Sequence, residues 1–278
     1  MALSQVYILQ DSETLHMDIN LYNTASAFNN SCRSILLIEE AKNNLFIGCI
    51  DTVDFVYRYE KFIFGKVVNQ NQIELLFVCN QKGQMILFSP SLTADKRVYE
   101  LLSNEIYKIG IQINGVKADP LVADMFAKEY SRIASRNIVV NMHMSILLLT
   151  HLNPTKLLDL EVRKITLSCE YTLTPVHTKF INESIYGQEG LYFLIKDNIP
   201  VSQAAIRRKV SMGGVFTPEE YRRNGYSSTL VYSLAKRILD DGNSYCVVHT
   251  DTEDPISNQM YKNIGFEYIA DMKDIGFG

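Results

Sequence analysis

Between Leu230 and Leu239 the apolar residues Leu230, Val231, Leu234, Ala235, Ile238 and Leu239 recur at spacings of three and four. That is the period of a helix with one buried face. Ser227 and Ser228 stand where the helix opens, and a basic turn around Gly225 leads into it. The surrounding segments alternate in type. Val162–Thr166 reads as a strand and Val176–Ile185 as a helix, followed by strands over Leu191–Ile195 and Val201–Arg207. Asp197-Asn198 between those strands suits a hairpin turn. Another strand runs to Phe216, with Gly213-Gly214 placed where a bulge fits. After the long helix come an apolar strand, Tyr245–His249, a short helix containing Tyr261 and ending at Gly265, and a closing strand from Phe266. Helices between strands of one sheet imply crossovers and a partly parallel sheet.

The first half carries a similar order. Phe62–Val68, Ile73–Val78 and Met85–Phe88 read as three strands joined by Asn/Gln/Gly turns. A helix near Ala94–Tyr107 presents Val98, Leu101, Leu102 and Ile106 on one face, and a short strand is expected at Ile111–Ile113 before Asn114-Gly115. Asp119-Pro120 is a strong helix start, a cap residue followed by proline at the first position. A long strand, Ile138–Leu149, closes the half. The expected architecture is α/β, two tandem halves divided as 1–155 and 156–278, the first of them degenerate. The first half's counterpart of the Gly225 turn, Ser89–Lys96, contains no glycine.

Composition narrows the function classes. Lys and Arg number 27 against 31 Asp and Glu, for a net charge of −4, and no basic tract appears, so nucleic acid is not an expected partner. The five cysteines are scattered without a CxxC pair, which fits reduced thiols better than a disulfide frame or a zinc site. The first residues, MALSQVYILQDSETL, lack the pattern of a signal peptide, and the apolar run near Ile146–Leu149 is too short to span a bilayer. A cytoplasmic location without membrane association is therefore expected. His16, His143, His151 and His177 show no metal-ligand spacing.

The Gly225 turn carries the chemistry. A turn feeding a helix leaves backbone N–H groups without intrahelical partners, and with the helix dipole these favour a bound phosphate. Gly225 admits close approach, while Arg222 and Arg223 add charge-assisted donors. No Gly-Lys-Ser/Thr follows and GxGxxG is absent, so neither a Walker loop nor a dinucleotide fingerprint is present. Arg222-Arg223-Asn224-Gly225-Tyr226-Ser227 resembles the acyl-CoA pyrophosphate loop of the GCN5-related N-acetyltransferase (GNAT) family, Gln/Arg-x-x-Gly-x-Gly/Ala. Val215–Tyr221 resembles the preceding strand and loop of the FR47-like branch. Asp254–Phe266 is similar to that branch's Asn-Pro-x-Ser-Asn-x-x-Tyr-x-x-x-Gly-Phe signature, and the order and spacing of the motifs match. Ser227 stands where the family has Gly or Ala, and Asp254 where it commonly has Asn.

The resemblance implies a GNAT-type mixed sheet and an acetyltransferase using acetyl-CoA, with direct attack by an amine acceptor, expected to be a small molecule. It implies that Val215, Phe216 and Thr217 bind the pantetheine arm through their backbone, that Arg222, Arg223, Asn224, Gly225, Tyr226, Ser227 and Ser228 bind the pyrophosphate, and that Asn258 binds from the other side. Tyr261 matches the family's tyrosine near the CoA sulfur and is the expected general acid. A phenol of pKa about 10 is protonated at neutral pH. The base is open among Glu183, Glu219, Glu220 and an ordered water, with Glu183 placed on a helix expected to border the acceptor. His249, at the end of its strand, lies where open sheets line ligand crevices, although a lone histidine there is ordinarily structural. Two other readings stand beside the enzyme: a non-catalytic acyl-CoA-binding or sensing module, and an interaction scaffold without cofactor. The first half would wall the acceptor cleft or support a homodimer.

Overall fold

A computed structural model describes residues 17–56, 62–165 and 190–278. The expected helix Val176–Ile185 with Glu183, the residue Thr166, Cys169 and the histidines His16 and His177 lie outside the described residues. The chain divides into two compact units, Met1–Met144 with Ala270–Gly278, and Ser145–Ile269. In chain order the elements are β1 (Met17–Tyr22), α1 (Ala25–Ile38), α2 (Asn44–Val56), β2 (Phe62–Asn69), β3 (Gln72–Asn80), β4 (Gln84–Phe88), α3 (Lys96–Lys108), β5 (Gly115–Ala118), α4 (Pro120–Ala134) and β6 (Ile138–Leu149). They continue as β7 (Glu161–Lys164), β8 (Gly190–Lys196), β9 (Ile199–Arg207), β10 (Ser211–Phe216), α5 (Tyr226–Asp240), β11 (Cys246–Asp251), α6 (Pro255–Ile264) and β12 (Glu267–Phe277). This is an α/β fold with mixed sheet flanked by helices.

In the first unit the strand order is β1-β2-β3-β4-β5-β12. Alternation along β3 builds two cores at once. Leu75 and Phe77 join Val98, Leu102, Phe126 and Tyr130 of α3 and α4 on one face. Leu76 and Val78 meet Phe28, Leu36, Phe46 and Ile47 of α1 and α2 on the other. Period-two alternation is what a sheet covered on both faces demands. The end of the chain belongs here too. In β12, Ile275 and Gly276 lie opposite Val116 and Gly115 of β5, antiparallel. Ile275 and Phe277 enter the α3–α4 core, and Lys117 pairs with Asp274 at 2.6 Å.

In the second unit the order is β11-β10-β9-β8-β7. Leu230, Leu234 and Ile238 of α5 pack with Tyr261 and Ile264 of α6 over Ala204, Ile206, Met212 and Val248. Leu191, Phe193, Ile195 and Ala205 face the other way. Both units repeat one scheme: a three-stranded antiparallel meander, a helix, a strand parallel to the last of the meander, and a second helix. Met85 pairs with Val116 across β4 and β5, as Met212 pairs with Val248 across β10 and β11.

Most of the expected elements stand within a residue or two of their places. Asp197 and Asn198 both have positive φ at the β8–β9 turn, and Asp119 caps α4 with Pro120 at its first turn. The Ile111–Ile113 expectation is corrected: the strand is Gly115–Ala118. Asn114 and Gly115 both donate to the Gly83 carbonyl, which ties down the supposed turn and starts the ladder beyond it. No helix among the described residues is long and apolar enough to cross a membrane.

Candidate active site in the second unit

Strand β10 bends at its two glycines. Its register against β9 shifts between Gly213 and Phe216, and Gly214 adopts φ 61°, which glycine tolerates at little cost. On its other side β10 pairs with β11 only at Ser211↔Val247 and Met212↔Val248 among the described residues. The strand therefore leaves β11 at the bulge. Ser202 Oγ contacts Thr217 Oγ1 at 2.9 Å and bonds the Phe216 carbonyl, holding the strand end to β9.

Beyond Phe216 the chain makes one 3-10 turn, Glu219–Tyr221, and reaches α5 through Arg222–Gly225. Arg223 and Gly225 have positive φ, 64° and 77°. The Asn224 amide donates back to the carbonyls of Tyr221 and Arg222, and Arg222 Nε donates to the Thr217 carbonyl at 3.1 Å. Loop carbonyls are thus occupied internally. Gly225 caps α5 without any side-chain hydrogen bond. The first intrahelical bond runs from Thr229 N to the Gly225 carbonyl, so the amides of Tyr226, Ser227 and Ser228 at the positive helix end are not consumed by the helix. A Cβ on Gly225 would meet only Leu158 Cδ1, at 3.9 Å. Tyr226 turns inward, its hydroxyl accepting from Lys196 Nζ at 3.1 Å.

The helix α6 brings the remaining residues. Asp254 caps it, accepting from Ile256 N, Ser257 N and Ser257 Oγ. The Ser257 hydroxyl, ahead of the two amides and nearby Arg222, holds this carboxyl below the usual range. An aspartate where the family commonly has asparagine thus serves as the helix cap. Asn258 Nδ2 donates to the carbonyls of Asp251 and Thr252, while its Oδ1 is buried without a partner. Tyr261 is 5 % exposed, and its ring meets Phe266 edge-on at 5.4 Å. Burial, with Cys246 and Asp254 adding to it, pushes the Tyr261 hydroxyl up, so it stays protonated.

Of the candidate bases, Glu219 and Glu220 are exposed in the 3-10 turn, and Glu183 lies outside the described residues. His249 is partly buried, its Nε2 shielded and unpartnered. Burial and then the Arg207 charge lower its pKa to about 4. Gln203, buried on β9 with Oε1 unpartnered, was not visible from the sequence, where it is one polar residue inside an apolar strand. No group of three or more metal-ligating side chains occurs among the described residues.

The first unit differs at each corresponding point. The β3–β4 register is regular from Cys79↔Met85 to Leu76↔Phe88, so there is no bulge. The N-terminus of α3 is closed by Asp95, whose carboxylate accepts from Arg97 N at 3.0 Å and binds the Arg97 guanidinium.

A bulged strand diverging from its parallel neighbour, with an uncapped helix start beyond it, defines the GCN5-related N-acetyltransferase fold. Residues 201–273 match the family model described as FR47-like protein, a stretch that includes the candidate site from Gly213 to Tyr261. Solved structures extend the likeness over both units. A GCN5-related N-acetyltransferase from Sphaerobacter thermophilus aligns over 93% of this chain and 95% of its own, with TM-score 0.58 and 8% identity. One from Kribbella flavida covers 81% and 92%, with TM-score 0.54 and 14% identity. A tandem GNAT protein from the clavulanic acid biosynthesis pathway covers 94% and 98%, with TM-score 0.54 and 9% identity. No curated protein matches.

Proposed function

We propose that the chain is an N-acetyltransferase that moves the acetyl group of acetyl-CoA directly to the amine of a small molecule, using its second unit alone. The observation that carries this is the contrast between two equivalent helix starts. That of α5 is open, glycine-capped and flanked by Arg222 and Arg223, whereas Asp95 fills that of α3. The residues present fit the cofactor. The Asn224–Ser228 amides and the two arginines would hold the pyrophosphate, and the backbone of Gly214–Thr217 would hold the pantetheine arm where β10 leaves β11. Asn258 Oδ1, buried without a partner, supplies an acceptor for an amide N–H.

Bound acetyl-CoA supplies an acetyl group already activated as a thioester. The chain's own tasks are to orient it, to exclude water and to move protons. Tyr261 Oη, kept protonated by burial, would give its proton to the departing sulfur. The test is Tyr261→Phe. CoA binding by calorimetry should persist while kcat for acetyl transfer falls about 100-fold or more, the usual share of a general acid. The edge-on packing of Tyr261 on Phe266 favours a second reading, a non-catalytic acyl-CoA-binding module in which this ring braces α6. That reading expects CoA binding with no transfer to any amine, in wild type and variant alike.

A further inference from the structure

We propose that Gln203 and His249 recognise the acceptor, Gln203 Oε1 and His249 Nε2 each accepting an N–H of a primary amine. This rests on the acetyl-CoA reading above and adds the substrate class: a primary amine with an apolar body.

The two side chains share a sheet face. Ala204 and Ile206 of β9, and Cys246 and Val248 of β11, face α5, so by alternation Gln203 and His249 face the opposite way. The register brings both to the bulge. Val248 lies beside Met212, the last pair of that ladder among the described residues, so His249 follows at the point where the two strands part. Gln203 is paired with Phe216 on one side and Phe193 on the other. Between them the sheet surface is Gly213-Gly214, which raises no side chain. The Arg207 side chain lies across that gap: a Cβ on Gly213 would meet its Nε at 3.6 Å, and one on Gly214 its Nη2 at 3.8 Å.

Gln203 is 1% exposed, yet its Oε1 has no partner, and the same holds for His249 Nε2. Folding does not leave buried polar atoms unmatched without reason, and two of them on one face beside the point where the sheet parts indicate a missing ligand. What is missing is N–H. The Gln203 oxygen can only accept, and an unprotonated imidazole nitrogen likewise accepts an N–H. Burial keeps His249 neutral at physiological pH. Phe193 and Phe216 flank Gln203 with apolar surface. The protons then balance. The ammonium gives one proton to water, and the freed lone pair forms the C–N bond as the C–S bond breaks and its electron pair goes to sulfur. Tyr261 Oη gives that sulfur a proton and regains one from the new amide nitrogen.

The test uses the full chain saturated with CoA, its His249 imidazole resonance assigned by comparison with His249→Gln. Benzylamine, spermidine and glutamate are titrated in turn. Benzylamine should shift the His249 resonance, and Gln203→Leu should weaken that titration about tenfold or more, the loss of one hydrogen bond, with CoA affinity unchanged. A His249 resonance indifferent to benzylamine, or moved by spermidine or glutamate instead, overturns the inference and leaves the acetyl-CoA reading standing. Failure of the chain to bind CoA removes both.

Discussion

Gly225→Asp copies into the second unit the arrangement that the first already has at Asp95, and its consequences can be worked out. Sterically the site is open, since only Leu158 Cδ1, at 3.9 Å, would touch the new Cβ. The backbone cost of a left-handed residue other than glycine is about 1–2 kcal/mol. A carboxylate at a helix start returns up to about 1 kcal/mol. The net loss is therefore roughly 0–2 kcal/mol, a shift of several degrees at most in Tm. Cofactor affinity should respond quite differently. A negative charge about 4–5 Å from a bound pyrophosphate costs roughly 3–4 kcal/mol at an effective dielectric constant near 20. That corresponds to between about 100-fold and 1,000-fold in Kd. Calorimetric titration of CoA into wild type, Gly225→Asp and Gly225→Ala, beside thermal melts, reads both quantities. Gly225→Ala carries the strain without the charge and should lose far less affinity. A Gly225→Asp protein that melts normally and binds CoA within tenfold of wild type would refute the placement of the pyrophosphate at Arg222–Ser228.

Asp254→Ala removes the α6 cap and should destabilise by about 1 kcal/mol at neutral pH. Its carboxyl is depressed in the fold, so the stabilisation is present above the unfolded pKa of about 3.9 and is lost as pH falls through the lower folded value. Denaturant melts from pH 7 to 2 should show the two proteins converging at the acid end. His249 works in the opposite sense: with a folded pKa of about 4 it resists protonation that the unfolded chain accepts near pH 6.5. Wild type should lose stability as pH drops from about 6.5 to 4, and His249→Gln should lose less over that window. Burial pushes the thiols of Cys79 and Cys246 up to about 12, so neither should react with a thiol reagent at pH 8 until the chain unfolds; peptide mapping after pulse alkylation reads this directly.

Where a local rule fixes the backbone, the sequence was legible. Asp119-Pro120, Asp197-Asn198 and Gly213-Gly214 each announce one conformation, and the three- and four-residue spacing of α5 admits only a helix. The missed elements obey no such rule. α2, Asn44–Val56, is apolar nearly throughout, so its period is hidden, and it contains Gly48 and β-branched residues. β5 is four residues long and contains Lys117, while its apolar neighbours Ile111–Ile113 advertised the strand too early. Pairing of β5 with β12 leaves no trace in either segment. In the site, the turn and α6 motif could be read because a spacing carries them. Gln203 and His249 could not be joined, since only the strand register brings both to the bulge of β10.

The return of β12 to the first unit has a consequence for the order of events at the ribosome. The first unit is made first but is the last to be finished. Until Ile275 and Phe277 emerge, β5 has an open edge and the core between α3 and α4 lacks both side chains, along with the Phe277 carbonyl that Arg136 binds from 141 positions away. Loop closure over so long a stretch is slow compared with local pairing. The nascent chain thus carries an exposed template for strand addition through most of its synthesis. A chain cut short at Ile269 would keep that edge permanently, and aggregation rather than loss of the site would be its first symptom.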